Sequence, residues 1–286
     1  MPALAFAFVG LFPTDNGLES PLPSETANCE ARLLADASDG RLDHHSVIRA
    51  ALIAAGERDS QVWYQSEAAL AGLARELRES GGLAGSALEQ AQAMHRFMHG
   101  RMLKGYDPSA NNVAELFRSG RFNCITSSTV FIALAAECGW HAAALELPAH
   151  VLVVFDPQGA AIAVETTCPD WRMAANVAGG RSGAHGRRIE AAELLATYYH
   201  NRGVARLAEG NFAAAIAANR TALRLDAGCA AARQNLLAAW NNWALALADA
   251  GNYAAALDKI EAALAVAPGY EPLLENRVYI QTRRKI

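Results

Sequence analysis

The chain has 286 residues, enough for two domains, and 52% of them are hydrophobic, enough to bury a sizeable core. Charged residues make up 19% and the formal net charge is −4, which argues against a disordered chain and against a nucleic-acid-binding surface. The basic run Arg283-Arg284-Lys285 reads as a solvated tail.

Residues 3–12 are apolar but too few to cross a bilayer as a helix, and no Lys or Arg precedes them. They read as a segment packed on the body, or as the remnant of an export signal, and the compartment stays open. Residues 1–28 are thus taken as an apolar segment and tether. Helical periodicity follows. Asp43 is placed to cap a helix running to about residue 55, where Gly56 ends it. Further helices are expected over about 61–79 and 85–98, and Asn111 or Asn112 is placed to cap a short one over 113–118.

An apolar helix then starts at Cys124, with an apolar face formed by Ile125, Val130, Phe131, Leu134 and Ala135, and ends at Cys138-Gly139. The period changes to strands over about 141–147, 150–155 and 160–166, with Asp156-Pro157-Gln158-Gly159 as a tight turn between the last two. Residues 178–188 are rich in Gly and Arg and read as a linker or as a loop beside a cleft.

From residue 189 the chain is helical again and repeats itself. Gly210-Asn211-Phe212-Ala213-Ala214-Ala215-Ile216 recurs as Gly251-Asn252-Tyr253-Ala254-Ala255-Ala256-Leu257. The pattern of Trp240, Ala244, Gly251, Ala256, Ala263 and Pro268 resembles tetratricopeptide repeats. Tyr199, Gly203, Ala215 and Ala222 are a weaker first copy. The period is longer than the usual ~34 residues, which predicts an extended helix between the copies, and an array this short is expected to lean on the first domain.

Five cysteines, at positions 29, 124, 138, 168 and 229, show no CxxC pair and no zinc spacing. Free thiols are expected, with no metal and no cofactor. Cys124 has the richest chemical context. A helix start offers unsatisfied N–H groups and a partial positive charge, which favour a thiolate nucleophile, and a neighbouring imidazolium adds a full charge. If the 156–159 turn closes symmetrically, His150 lands opposite Glu165, which then fixes the imidazole tautomer. A one-residue slip would put Glu165 on the other face. The backbone N–H of Cys124 is one oxyanion donor, and Asn123, Tyr106, Asn111 and Asn112 are candidates for a second.

The run Gly120-Arg121-Phe122-Asn123-Cys124-Ile125-Thr126-Ser127-Ser128, the strand start Leu147-Pro148-Ala149-His150-Val151 and Val164-Glu165-Thr166-Thr167 resemble the transglutaminase-like superfamily, of the papain-type fold class. More closely, they resemble its bacterial branch that joins such a domain to tetratricopeptide repeats. The resemblance implies an α+β fold, with a helical N-terminal part and a small antiparallel sheet over residues 29–177, followed by a helical repeat domain over 189–286. It also implies a Cys124-His150-Glu165 triad acting on amides or esters by hydrolysis, deamidation or acyl transfer. Many relatives carry Asp at the third place. A protein or peptide substrate, docked on the repeats, is the expected partner. A non-catalytic adaptor with a decayed papain-type domain is the alternative.

The remaining polar residues carry blander expectations. Cys138 reads as core, and Cys168 as a rival thiol. His95 and His99, four apart, lack the HExxH pattern and read as a polar helix face. Ser127, Ser128 and Thr129 are expected to satisfy local polar contacts. Asn201, Asn241 and Asn242 are candidates for lining a peptide groove.

Overall fold

The computed structural model describes residues 24–81, 84–157, 159, 161–171 and 186–284. The apolar segment at 3–12 and most of the expected linker lie outside them. Helix α1 (Ser24–Asp36) begins inside the stretch read as a tether. Helices α2 (Val47–Ala55), α3 (Ser60–Glu79), α4 (Ala87–Arg101) and α5 (Val113–Ser119) follow. The cap of α2 is Ser46, not Asp43: its hydroxyl accepts the Arg49 amide. The backbone at 43–45 is instead gathered by the Asp36 carboxylate, which accepts the amides of Asp43, His44 and His45 and delays the helix start. Asn112, not Asn111, caps α5.

Two short strands, β1 (Gly105–Tyr106) and β2 (Arg121–Phe122), pair in parallel and lead into α6 (Cys124–Glu137). A single apolar face was expected for α6. Instead every residue from Ile125 to Ala135 is buried, the signature of a central helix. It packs against α2, α3, α4 and α5, and against the strands β3 (His141–Leu147) and β4 (His150–Asp156). These two join β5 (Ile162–Val164) and β6 (Arg187–Ile189) in an antiparallel sheet of order β5-β4-β3-β6. The mixed, helix-rich architecture is α+β, and β6 is an edge strand where the sequence suggested linker.

The β3–β4 connection has only two residues, Pro148 and Ala149, with Leu147 opposite His150. Proline presets the first turn position, and the second needs a positive φ. Ala149 supplies it at φ 59°, and it is the one non-glycine residue with positive φ among those described. That conformation costs an alanine about 1–2 kcal/mol.

The β4–β5 register departs from the symmetric turn. Phe155 pairs with Ile162 and Val153 with Val164, so the connection is two residues longer than expected. An even shift preserves the face of the paired residues, and Glu165, the residue after β5, still reaches His150. Strand β5 is also shorter than expected. Beyond Val164 the backbone turns away, because the Thr166 carbonyl and hydroxyl bond elsewhere.

The C-terminal helices are α7 (Ala191–Ala208), α8 (Phe212–Leu225), α9 (Ala230–Asp249), α10 (Tyr253–Val266) and α11 (Glu271–Arg283), each packed on the next. The sequence repeat reappears as repeated turns. Gly210 N–H donates to Leu207 O as Gly251 N–H does to Ala248 O, and Asn211 N–H donates to Arg206 O as Asn252 N–H does to Leu247 O. Both glycines have positive φ, at 74° and 80°. Helix α9 has 20 residues against 14 in α8, which lengthens the period. Helix α7 packs on α2, α6 and β3. Its Leu194, Leu195, Tyr198 and Tyr199 share the core that contains α6, whereas α9, α10 and α11 build a second core with parts of α8.

Candidate active site

Cys124 is the first residue of α6 and half-buried. Its surroundings follow from the cap before it. The Asn123 side-chain oxygen accepts the amides of Ile125 at 3.0 Å and Thr126 at 2.9 Å. The Asn123 amide donates to the Thr126 hydroxyl at 2.9 Å, which completes a capping box. Ser127 N–H donates to Asn123 O in the first helical turn. The amide of Cys124 itself faces no acceptor among the described residues, so one donor at the helix start stays open beside the sulfur.

His150 opens β4. Its Nε2 lies 2.7 Å from the Glu165 Oε2. The Cys124 thiol lies beside the same ring and acts on its titration. The bond to Cys124 is the largest influence on the imidazole, followed by the bond to Glu165. Together they outweigh burial and hold its pKa up at about 10. Burial pushes the Glu165 carboxyl up, but hydrogen bonds from His150 and from Thr167 bring it down to about 2. These influences favour a carboxylate against an imidazolium.

Thr167 was not singled out in the sequence. Its amide and hydroxyl donate to Glu165 Oε1 at 2.7 and 2.6 Å, so each carboxylate oxygen has its own partner. Thr166 lies between them and is buried, with its hydroxyl 2.8 Å from that of Ser127 and 3.3 Å from that of Ser128. Ser127 donates to Asn123 O, and Thr129 to Ile125 O, as expected of polar residues inside a helix.

His95 and His99 do not form a solvated polar face. His95 is 1% exposed. Their Nε2 atoms lie 2.9 Å from Cys168 O and 3.1 Å from Thr166 O, so α4 holds the backbone on both sides of Thr167. Burial pushes both imidazoles down, which favours their neutral forms. A sequence signal existed. His95 falls in the stripe Ala87, Gln90, Ala91, Met94 and Met98, all buried.

The other sequence candidates sort as follows. Both hydrogens of the Asn123 side-chain amide have acceptors, Asn111 Oδ1 at 2.8 Å and Pro108 O at 3.4 Å. Its oxygen caps α6, so this side chain serves the helix start rather than offering an oxyanion donor. Tyr106 is 55% exposed and stacks edge-on with Phe122. Burial, then the charges of Cys124 and Glu165, raise its hydroxyl pKa, which sets the phenol within electrostatic reach of the sulfur. Asn201 and Asn241 turn inward. Asn201 donates to Asn111 at 2.9 Å, and Asn241 accepts from Asn276 at 2.6 Å. Asn242 is exposed. A cleft of about 850 Å³ lined by Asp36, His44, Arg49 and Trp63 shares no residue with this site.

Residues 64–181 match the family model described as the transglutaminase-like superfamily. The match covers less than half of the chain but contains Cys124, His150 and Glu165. No curated protein and no solved structure matches the chain.

Proposed function

From the match of residues 64–181 to the transglutaminase-like superfamily, we propose that the chain carries out thiol-dependent acyl chemistry on amide bonds of a protein or peptide, with Cys124 as nucleophile, His150 as base and Glu165 as third member. The observation that carries this reading is the imidazole of His150 held between the Cys124 sulfur and the Glu165 carboxylate, the latter at 2.7 Å.

The thiolate attacks the carbonyl carbon and a C–S bond forms. The oxyanion takes up the open N–H of Cys124, with the Tyr106 hydroxyl as the second donor. As the C–N bond breaks, His150 gives its proton to the leaving amine. Water or a second amine then attacks the thioester and gives a proton to His150, and the C–S bond breaks to release the Cys124 thiolate. Glu165 keeps its negative charge throughout and fixes the ring orientation. The acceptor decides between hydrolysis, deamidation and transfer.

Helices α7–α11 are read as tetratricopeptide-like repeats that recruit the substrate or partner. The turns repeated at Gly210 and Gly251 support this.

Iodoacetamide labelling tests the chemistry. At about pH 6–7, Cys124 should react about ten-fold faster than an ordinary free cysteine, and Cys124→Ala should remove that reaction. Slow labelling, or labelling that goes to Cys168, sinks the enzyme and leaves the adaptor.

A further inference from the structure

Three asparagines form a directed chain from the C-terminal helices to the start of α6. Asn201 of α7 donates from Nδ2 to Asn111 Oδ1 at 2.9 Å, and Asn123 donates from Nδ2 to the same oxygen at 2.8 Å. Asn123 then turns its own oxygen to the amides of Ile125 and Thr126. A carboxamide has one accepting end and one donating end. The two backbone amides can only donate, so they require the Asn123 oxygen. That turns the Asn123 nitrogen to Asn111 and requires the Asn111 oxygen there. The same oxygen then takes a second donor, and α7 provides it.

Each link has an alternative state, a flipped amide. With Asn201 absent, Asn111 loses one of the two donors that fix its orientation. A flipped Asn111 presents NH₂ to NH₂ and drives Asn123 to flip as well. The start of α6 would then face a nitrogen in place of the capping oxygen, directly beside Cys124. Asn123 is 3% exposed, so water is poorly placed to repair the loss.

We infer that Asn201, on α7 and outside the segment that matches the transglutaminase-like family, is a positioning residue for the Cys124 nucleophile, acting through Asn111 and Asn123. The inference rests on the reading of Cys124 as the nucleophile. It makes α7 part of the reaction centre, so that a displacement of α7 is felt at the sulfur.

The test is the pH profile of Cys124 alkylation by iodoacetamide in the full chain, with thermal unfolding measured alongside. Asn201→Leu keeps the volume and Asn201→Ala keeps the helix. Both should lower the rate at about pH 6 about five-fold, the effect of one hydrogen bond, and leave the alkaline rate unchanged. Arg202→Gln is the packing control. It loosens the same helix from Glu30 and from the Ala54 carbonyl, and should lower the melting temperature without moving the profile. Asn201 variants with the wild-type profile overturn the inference. An equal shift in Arg202→Gln also overturns it, because packing alone then accounts for the effect. A wild-type chain whose Cys124 shows no enhanced reactivity overturns the nucleophile reading, and this inference with it.

Discussion

The Ser127 hydroxyl lies 2.8 Å from the Thr166 hydroxyl, and this buried contact ties the segment that carries Glu165 to the first turn of α6. Thr166→Val removes the hydroxyl that both Ser127 and Ser128 reach. The serines keep their carbonyl acceptors, Asn123 O and Val151 O, so the change removes one buried hydroxyl contact, worth about 0.5–1.5 kcal/mol. Urea unfolding should show a loss of that size, and no measurable loss would mean that the contact adds nothing to stability.

Thr167→Val should act on reactivity more than on stability. It keeps the shape and the backbone bond to Glu165 but deletes the hydroxyl bond at 2.6 Å. The carboxylate gains freedom to swing from His150. Iodoacetamide labelling of Cys124 at about pH 6 should slow several-fold, with little change in melting temperature.

The imidazole of His150 should titrate in a way that reports its neighbours. Its folded pKa stands at about 10, with the bond to Cys124 as the largest cause and the bond to Glu165 next. A histidine raised in this way adds stability that is fully present below the unfolded value near ~6.5 and is lost as pH rises through the folded value. Glu165, lowered to about 2 by bonds that overcome burial, adds stability that is present above about 4.5 and is lost as pH falls through about 2. The melting-temperature gap between wild type and His150→Asn should therefore be widest near pH 5–6 and close toward pH 10. In Cys124→Ala the largest cause is gone, so an NMR titration should find His150 at a lower pKa than in wild type.

His95 and His99 carry the opposite sign. Burial lowers both, helped in His99 by the charge of His95. Their contribution is present above about pH 6.5 and is lost below it, where the unfolded chain takes up the protons. His99→Gln should flatten the fall in stability between about pH 6.5 and 5. His95→Ala should cost about 2–4 kcal/mol at neutral pH, through a cavity and an unpaired Cys168 carbonyl. Denaturant titrations at several pH values would measure both effects.

Gly203 probes the helical array. A Cβ there would overlap the side-chain amide of Asn219, which is buried on α8. Gly203→Ala should destabilise the chain by about 1–3 kcal/mol despite the better helix propensity of alanine. Calorimetry showing stabilisation would mean that α7 and α8 part easily.

The approach of His150 to Glu165 was legible because strand alternation survives an even change of register. The two extra residues between Phe155 and Ile162 were not legible, since turn length depends on a geometry that Asp-Pro-Gln-Gly does not fix. Cys124 could be placed at a helix start because Ile125, Val130, Phe131, Leu134 and Ala135 recur at helical spacing after it. The roles of His95, His99, Asn111 and Asn201 were hidden for one shared reason. Each bonds to a group far away in sequence, and periodicity cannot distinguish a polar side chain facing water from one facing a buried carbonyl or amide. For His95 the apolar stripe around it was the available hint. For Asn201 the repeat pattern pointed outward to a groove, whereas the packing of α7 on α2 and α6 turned it inward.

The two-residue turn at Pro148-Ala149 also bears on the order of assembly. Strands β3 and β4 meet over seven consecutive residue pairs across this short connection, whereas β6 reaches β3 across a separation of 41 residues at Glu146 and Arg187. Short loops close at less entropic cost, so the hairpin that presents His150 should form before the sheet gains its far edge. Pulse-labelled hydrogen exchange during refolding should protect the amides of β3 and β4 ahead of Ile189, and simultaneous protection would contradict that order. The imidazole would then be in place before α7 docks and the cap of α6 is completed.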